Sequence, residues 1–186
     1  MTTRTITLKY GKGKIRFDLP ERQLVQEIRG HNRPAAADLR ADYLHALDHP
    51  VDSAPLREVV KPGETVAITV SDITRGWQRN ADTLAFLLDY LNAAGVPDPN
   101  ITILIAVGAH RQNTPEEFAE ICGAEVCHRV RVVNHDAWDE ANMVPLGRTS
   151  RGTPVEVNRL AVEADRLILT GGVIYHYMVG YGGGRK

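Results

Sequence analysis

Hydrophobic and polar positions change period several times along this chain, and each change marks an element. Thr5-Ile-Thr-Leu-Lys-Tyr10 and Lys14-Ile-Arg-Phe-Asp-Leu19 alternate apolar with polar on either side of Gly11-Lys12-Gly13. That period of two predicts a β-hairpin with one solvated face, lying at a sheet edge or covering one side. Pro20 ends it, and Gln23 to Ile28 reads as a further short strand. From Ala35 to Leu47 the spacing of Leu39, Tyr43, Leu44 and Leu47 predicts an amphipathic helix. His45 and His49 at its end are spaced as a metal pair could be, but their position in the last turn is explained by the helix dipole.

Beyond residue 60 the pattern becomes a recurrence. Thr65–Val70, Ile101–Val107, Val130–Val133 and Leu167–Thr170 are near-continuous β-rich runs, as in strands buried on both faces. Between them lies a helix over 81–94, with Leu84, Leu87, Leu88 and Leu91 on one face and Gly95 past its end. Another opens at Thr114-Pro115-Glu116-Glu117. Val144–Gly147 and Thr153–Val157 read as a hairpin around Arg148–Gly152. Strands separated by helices run parallel. The predicted fold class is α/β: a mostly parallel sheet flanked by helices, with an amino-terminal β-hairpin, in a single domain over 1–186.

Each buried run releases polar or glycine residues at its carboxyl end. The sets are Ser71-Asp72-Ile73-Thr74-Arg75, Gly108-Ala109-His110-Arg111, Asn134-His135-Asp136, and the stretch from Gly171 to Lys186. Parallel strands bring such ends to one rim, where α/β folds bind ligands. Asp72, Arg75, His110, Arg111, His135, His176 and Arg185 are therefore expected to converge on one crevice. Each alone has a plainer reading: Asp72 caps a turn, Arg75 pairs with a surface carboxylate, His135 is structural. Their joint placement at strand ends points to a site.

The final stretch adds a triple glycine, Gly182-Gly183-Gly184, closing on Arg185 and Lys186. It reads as a turn at a strand end where a ligand can approach backbone N–H groups. Arg185 brings a rigid guanidinium fork for phosphate or carboxylate, and Lys186 an amine. No Walker loop can be read there.

Composition narrows the function. A formal net charge of -1, from 22 basic and 23 acidic residues, removes a general case for nucleic-acid binding. No run reaches the roughly 18 apolar residues of a membrane span, and the start lacks a signal-peptide layout, so the expected location is cytoplasmic. Cys122 and Cys127 read as reduced bystanders. His110 and His176, from different strand ends, can each take and give a proton near neutral pH. Such a pair on opposite faces of one carbon suits a racemase, with arginines holding a substrate carboxylate.

Tyr175-His176-Tyr177, then Gly180-Tyr181, then Gly182-Gly183-Gly184-Arg185-Lys186 resemble the signature of the nickel-pincer-nucleotide lactate racemase family. The sets at 71–75, 108–111 and 134–136, and Thr149-Ser150-Arg151-Gly152-Thr153-Pro154, match further blocks of that family in order. Ala109 and Gly182 depart from it, standing where the family usually has Thr and often Ser.

The resemblance implies a 2-hydroxy-acid racemase or epimerase, seen through its amino-terminal domain. It implies a nickel-pincer mononucleotide joined covalently to Lys186, made by separate cofactor-synthesis enzymes, with hydride transfer to it. His110 and His176 are then the catalytic acid/base pair. Asp72, Arg75, Gly183, Gly184 and Arg185 are expected at the cofactor, with Arg75 and Arg111 at the substrate. The family's histidine ligand to nickel and its carboxyl-terminal domain are expected beyond residue 186, so the chain carries half a site. The alternative is a non-catalytic nucleotide- or anion-binding domain, or a fragment inactive alone. A redox enzyme borrowing a diffusible nicotinamide is disfavoured, since no G-x-G-x-x-G follows a strand.

Overall fold

Where hydrophobic runs meet helix formers in this sequence, a layered α/β arrangement follows. The computed structural model describes residues 2–28, 30, 34–178 and 180–183. The chain divides into two compact units, Met1–Ala37 and Asp38–Lys186.

The first unit is the hairpin of β1 (Thr3–Tyr10) and β2 (Gly13–Pro20), antiparallel with Ile6 opposite Phe17 and Leu8 opposite Ile15. It forms a two-stranded sheet of its own. The strand expected over Gln23–Ile28 does not form. Glu21–Gln23 is instead a 3-10 turn, closed by Leu24 N–H donating to the Glu21 carbonyl, and among the described residues no ladder includes those at 24–28.

The second unit opens with α1 (Leu39–Asp48), capped by Asp38, whose carboxylate accepts from Ala41 N–H at 2.9 Å, and the short α2 (Leu56–Val59). Then come β3 (Val66–Ser71), α3 (Leu84–Ala93) and β4 (Ile101–Ala106). They are followed by α4 (Pro115–Cys122), α5 (Ala124–Arg129) and β5 (Arg131–Asn134). A hairpin of β6 (Met143–Arg148) and β7 (Pro154–Asn158) leads through α6 (Arg159–Glu163) to β8 (Arg166–Leu169). α5 and α6 are short, and neither has enough turns for a helical period to be read.

β5, β4, β3 and β8 form one four-stranded sheet in that order, all neighbours parallel. The predicted class, a mostly parallel sheet flanked by helices with an amino-terminal hairpin, is the one observed. Leu84, Leu87, Leu88 and Leu91 of α3 are buried in one core with Ile68, Val70, Ile103 and Ile105. Burial of each such side chain contributes about 1.5–3 kcal/mol. Gly95 closes α3 with φ +93, the left-handed conformation its position required.

β8 is a correction. It reads as a strand buried on both faces, yet it is one edge of the sheet, with Leu167 and Leu169 43% and 44% exposed; β5, read the same way, is the other edge and only partly buried. The register of β8 is set by polar braces: Arg166 binds Glu64 through two 2.8 Å hydrogen bonds, and Thr65 N–H and Oγ1 both donate to Asp165. The glycine stretch after it is a second correction. β9 (Val173–His176) and β10 (Gly180–Gly183) pair antiparallel as a hairpin, so Gly182 and Gly183 are strand residues rather than an open turn. Among the described residues no helix is long and apolar enough to cross a membrane.

Candidate functional site

The parallel sheet brings Asp72, just past β3, beside the loop that leaves β4. Gly108 turns that loop with φ +62, a conformation that favours glycine. His110 then lies over Asp72, its Nδ1 2.6 Å from Asp72 Oδ2. The carboxylate is 6% exposed and the imidazole 52%, so a buried anion holds one side of a ring whose other side faces solvent. Asp72 Oδ1 accepts from Thr74 Oγ1 at 2.6 Å, and Thr74 Oγ1 accepts from Arg75 Nη1 at 2.9 Å. Burial alone pushes the Asp72 carboxyl upward. The Thr74 and His110 hydrogen bonds, with the charges of His110 and Arg75, outweigh it and hold the group below its ordinary value. A carboxylate only accepts, so Nδ1 donates and Nε2 is left for a ligand.

The two predicted arginines differ. Arg111 forms a fork onto Glu117, Nη2 to Oε1 at 2.6 Å and Nη1 to Oε2 at 2.8 Å. Glu117 is also the third residue of the α4 capping box with Thr114. Arg111 is thus committed to the start of a helix. Arg75 makes no ion pair within 4.0 Å among the described residues; its guanidinium is bonded to Thr74 alone.

His135 is held structurally. Asn158 Oδ1 caps α6 by accepting from Leu160 N–H, so its Nδ2, 3.1 Å from His135 Nδ1, is the donor there. Beside it Asn134, named above with the strand-end set 134–136, pairs with Asn113, which the sequence did not single out. Asn134 Oδ1 accepts from Asn113 N–H and Nδ2, Asn134 Nδ2 donates to the Asn113 carbonyl, and Asn113 Oδ1 accepts from Ile73 N–H. For Asn134 the sequence sign was its place in the strand-end set 134–136; Asn113 lies shortly beyond another parallel strand, with no spacing to mark it.

His176 ends β9, half-buried, with Nδ1 accepting from Met178 N–H at 3.2 Å and its ring stacked on Tyr177. Among the described residues no hydrogen bond or ring contact joins it to His110. Gly172, ahead of β9, lies against the Trp77 indole so closely that a Cβ would overlap it. Gly183 pairs with Val173, while Gly184, Arg185 and Lys186 lie outside the described residues.

Among the described residues no group of three or more His, Cys, Asp or Glu is arranged to hold a metal ion. His45 and His49 stack at 4.2 Å between centroids. Both cysteines are free, and burial pushes the Cys122 thiol up to about 12.

Residues 10–186 match the lactate racemase N-terminal domain family. The chain belongs to that family. It is 32% identical over 183 residues to the lactate racemase of Thermoanaerobacterium thermosaccharolyticum, covering 97% of this chain and 42% of that protein. It is 34% identical over 141 residues to the lactate racemase of Lactiplantibacillus plantarum, covering 76% of this chain and 33% of that one. The solved lactate racemase apoprotein from T. thermosaccharolyticum superimposes with a TM-score of 0.78 at 30% identity, over 96% of this chain and 41% of that one. The chain therefore spans about two fifths or less of the lactate racemases it matches.

Proposed function

We propose that this chain is the amino-terminal, proton-handling part of a lactate racemase-type enzyme acting on a 2-hydroxy acid. The observation that carries the reading is the Asp72–His110 contact at the carboxyl edge of the parallel sheet. Membership of the lactate racemase N-terminal domain family supports the reaction class.

The family implies a nickel-pincer mononucleotide attached at Lys186. The described residues fit its nucleotide part. Among the described residues Arg75 makes no ion pair, so its guanidinium is available for a phosphate. They offer no cluster for nickel itself, which would be held by the group and by residues other than these. Arg75, Gly183, Gly184 and Arg185 would contact the nucleotide, with Asp72 acting there through Thr74 and Arg75. When bound, the group would supply an acceptor for the α-hydrogen and its electron pair.

His110 Nε2 takes the substrate hydroxyl proton, and Asp72 holds the ring in the tautomer that leaves Nε2 free and stabilises the imidazolium that results. With that proton on His110, and the α-hydrogen and its electron pair passed to the acceptor the bound group would supply, the reacting carbon would become planar as a 2-keto acid without a carbanion beside the carboxylate. His176 serves the opposite face, returning a proton to the oxygen when the hydrogen comes back on the other side. Arg75 holds the substrate carboxylate if the nucleotide does not occupy it, and Arg111 steadies α4 and the loop rather than the substrate.

The test is racemisation of several 2-hydroxy acids by protein produced with its cofactor-synthesis enzymes, with nickel analysis and intact mass alongside. His110→Ala and His176→Ala should each lose on the order of 100-fold or more in kcat, and the mass should exceed that of the sequence at Lys186. Wild-type turnover in both variants would sink the acid/base assignment. Nickel and nucleotide bound without racemisation would leave a binding module.

A further inference from the structure

Resting on the reading of His110 as an acid/base, we propose that Asn113 and Asn134 are positioning residues for the reaction. The Asn134 amide, bonded to the main chain and the side chain of Asn113, sets the path of the loop that brings His110 to Asp72.

His110 has little else to define its place. Its ring is half exposed, its side-chain hydrogen bond is to Asp72, and its N–H donates to Val107 O at 3.2 Å. The ring's height over Asp72 therefore follows from the backbone between Gly108 and Asn113. That backbone is fixed at its far end by Asn113, which is 5% exposed. Asn113 Oδ1 accepts from Ile73 N–H at 3.2 Å, so one amide ties the residue after Asp72 to the residue three past His110.

The other half of the contact anchors the loop to β5. Asn134 Oδ1 accepts from Asn113 N–H at 3.2 Å and from Asn113 Nδ2 at 2.9 Å, and Asn134 Nδ2 donates to Asn113 O at 2.9 Å. Both amide orientations are dictated by main-chain groups: Ile73 N–H requires an oxygen of Asn113, and Asn113 N–H requires an oxygen of Asn134. No other side chain meets those demands in the same shape. Aspartate at 113 would set an oxygen against Asn134 Oδ1, and alanine would leave the Ile73 N–H without its acceptor and take the Nδ2 donor from Asn134 Oδ1.

The contact is not needed to start α4. Thr114 and Glu117 form that cap between themselves. What the asparagines add is a three-way tie among the ends of β3, β4 and β5, at the point where the proposed base must be held to a fraction of an ångström.

The experiment reads the His110 ring directly. In the 186-residue chain, long-range nitrogen–proton NMR reports which ring nitrogen carries the proton in the neutral imidazole. Wild type should show the Nδ1–H form, with Asp72→Asn as the control that abolishes it. Asn113→Ala and Asn113→Asp should shift His110 toward the Nε2–H form while circular dichroism and a cooperative melt remain. In the cofactor-loaded protein the same variants should lose about 10- to 100-fold in kcat with KM little changed.

Folded variants that keep the Nδ1–H form would overturn the assignment. Unfolding of both would overturn it too, making the pair a stability element. A shifted tautomer in a loaded protein that racemises nothing would support the positioning role and sink the function proposed above. A wild type without Nδ1–H would sink both.

Discussion

Past the ends of β3, β4 and β5, polar side chains are tied to one another: His110 to Asp72, Thr74 to Asp72, Asn113 to Asn134. On the β9–β10 hairpin, by contrast, Val173, Tyr175, Tyr177, Met178 and Tyr181 are exposed. The first region carries its geometry in its own hydrogen bonds, above a core that excludes water. The second is held by a four-residue ladder and presents aromatic surface. One half of the proposed site is thus preorganised by this unit, and the other half is a platform. Preorganisation is worth most where charge moves, and that favours the rim as the place for proton transfer.

The largest expected effect comes from breaking the rim itself. Asp72→Asn should lower kcat of the cofactor-loaded enzyme by on the order of 100- to 10,000-fold, because the amide no longer enforces the donating Nδ1. A kcat within twofold of wild type would remove the rim's claim to be the built half. Next is the foundation beneath it. Leu88→Ala should cost about 2–5 kcal/mol in urea unfolding, whereas Tyr181→Ala on the hairpin should stay within about 0.5 kcal/mol. Equal losses would erase the contrast between the two regions.

Smaller effects sharpen it. Thr114→Ala removes the side chain that caps α4 and should cost about 1 kcal/mol in the same measurement. The last is a pH effect. The Arg111 hydrogen bonds, then that from Thr114 N–H, lower the Glu117 carboxyl to about 2. A carboxylate depressed in the fold contributes stability that is full above its ordinary value and lost as pH falls through the folded one. Denaturation midpoints should therefore fall between pH 4.5 and about 2 in wild type, and that limb should flatten in Glu117→Gln.

Much of this was legible in the residues, for identifiable reasons. The parallel sheet is readable because Val66–Ser71 and Ile101–Ala106 are buried on both faces and carry an unbroken apolar signal. β8 misleads because Leu167 and Leu169 are apolar yet lie at an edge, and period alone does not separate an edge from a centre. The hairpin at the glycines was hidden because glycine disfavours strands; pairing with Val173–His176 overrides that preference. Asp72 and His110 were found as strand-end residues, but their 2.6 Å contact was not, since 38 positions separate them. Arg111 and Glu117 lie six residues apart across the start of α4, a spacing that no helical or strand period marks as a contact. Asn113 looked like an ordinary loop residue because only burial gives an asparagine away.

One consequence follows from how short β8 is. Its four residues are riveted at one end by Glu64 and Asp165 and at the other by Thr170, whose N–H and hydroxyl both reach Thr69 O. A pull on the hairpin therefore arrives at the sheet as shear, shared across several parallel bonds rather than opened one at a time. Between that anchored strand and β9 only Gly171 and Gly172 remain as a tether, and the Trp77 indole acts as a detent against Gly172. Displacing the hairpin therefore loads that tether and the Trp77 turn that follows Asp72 before it loads the sheet.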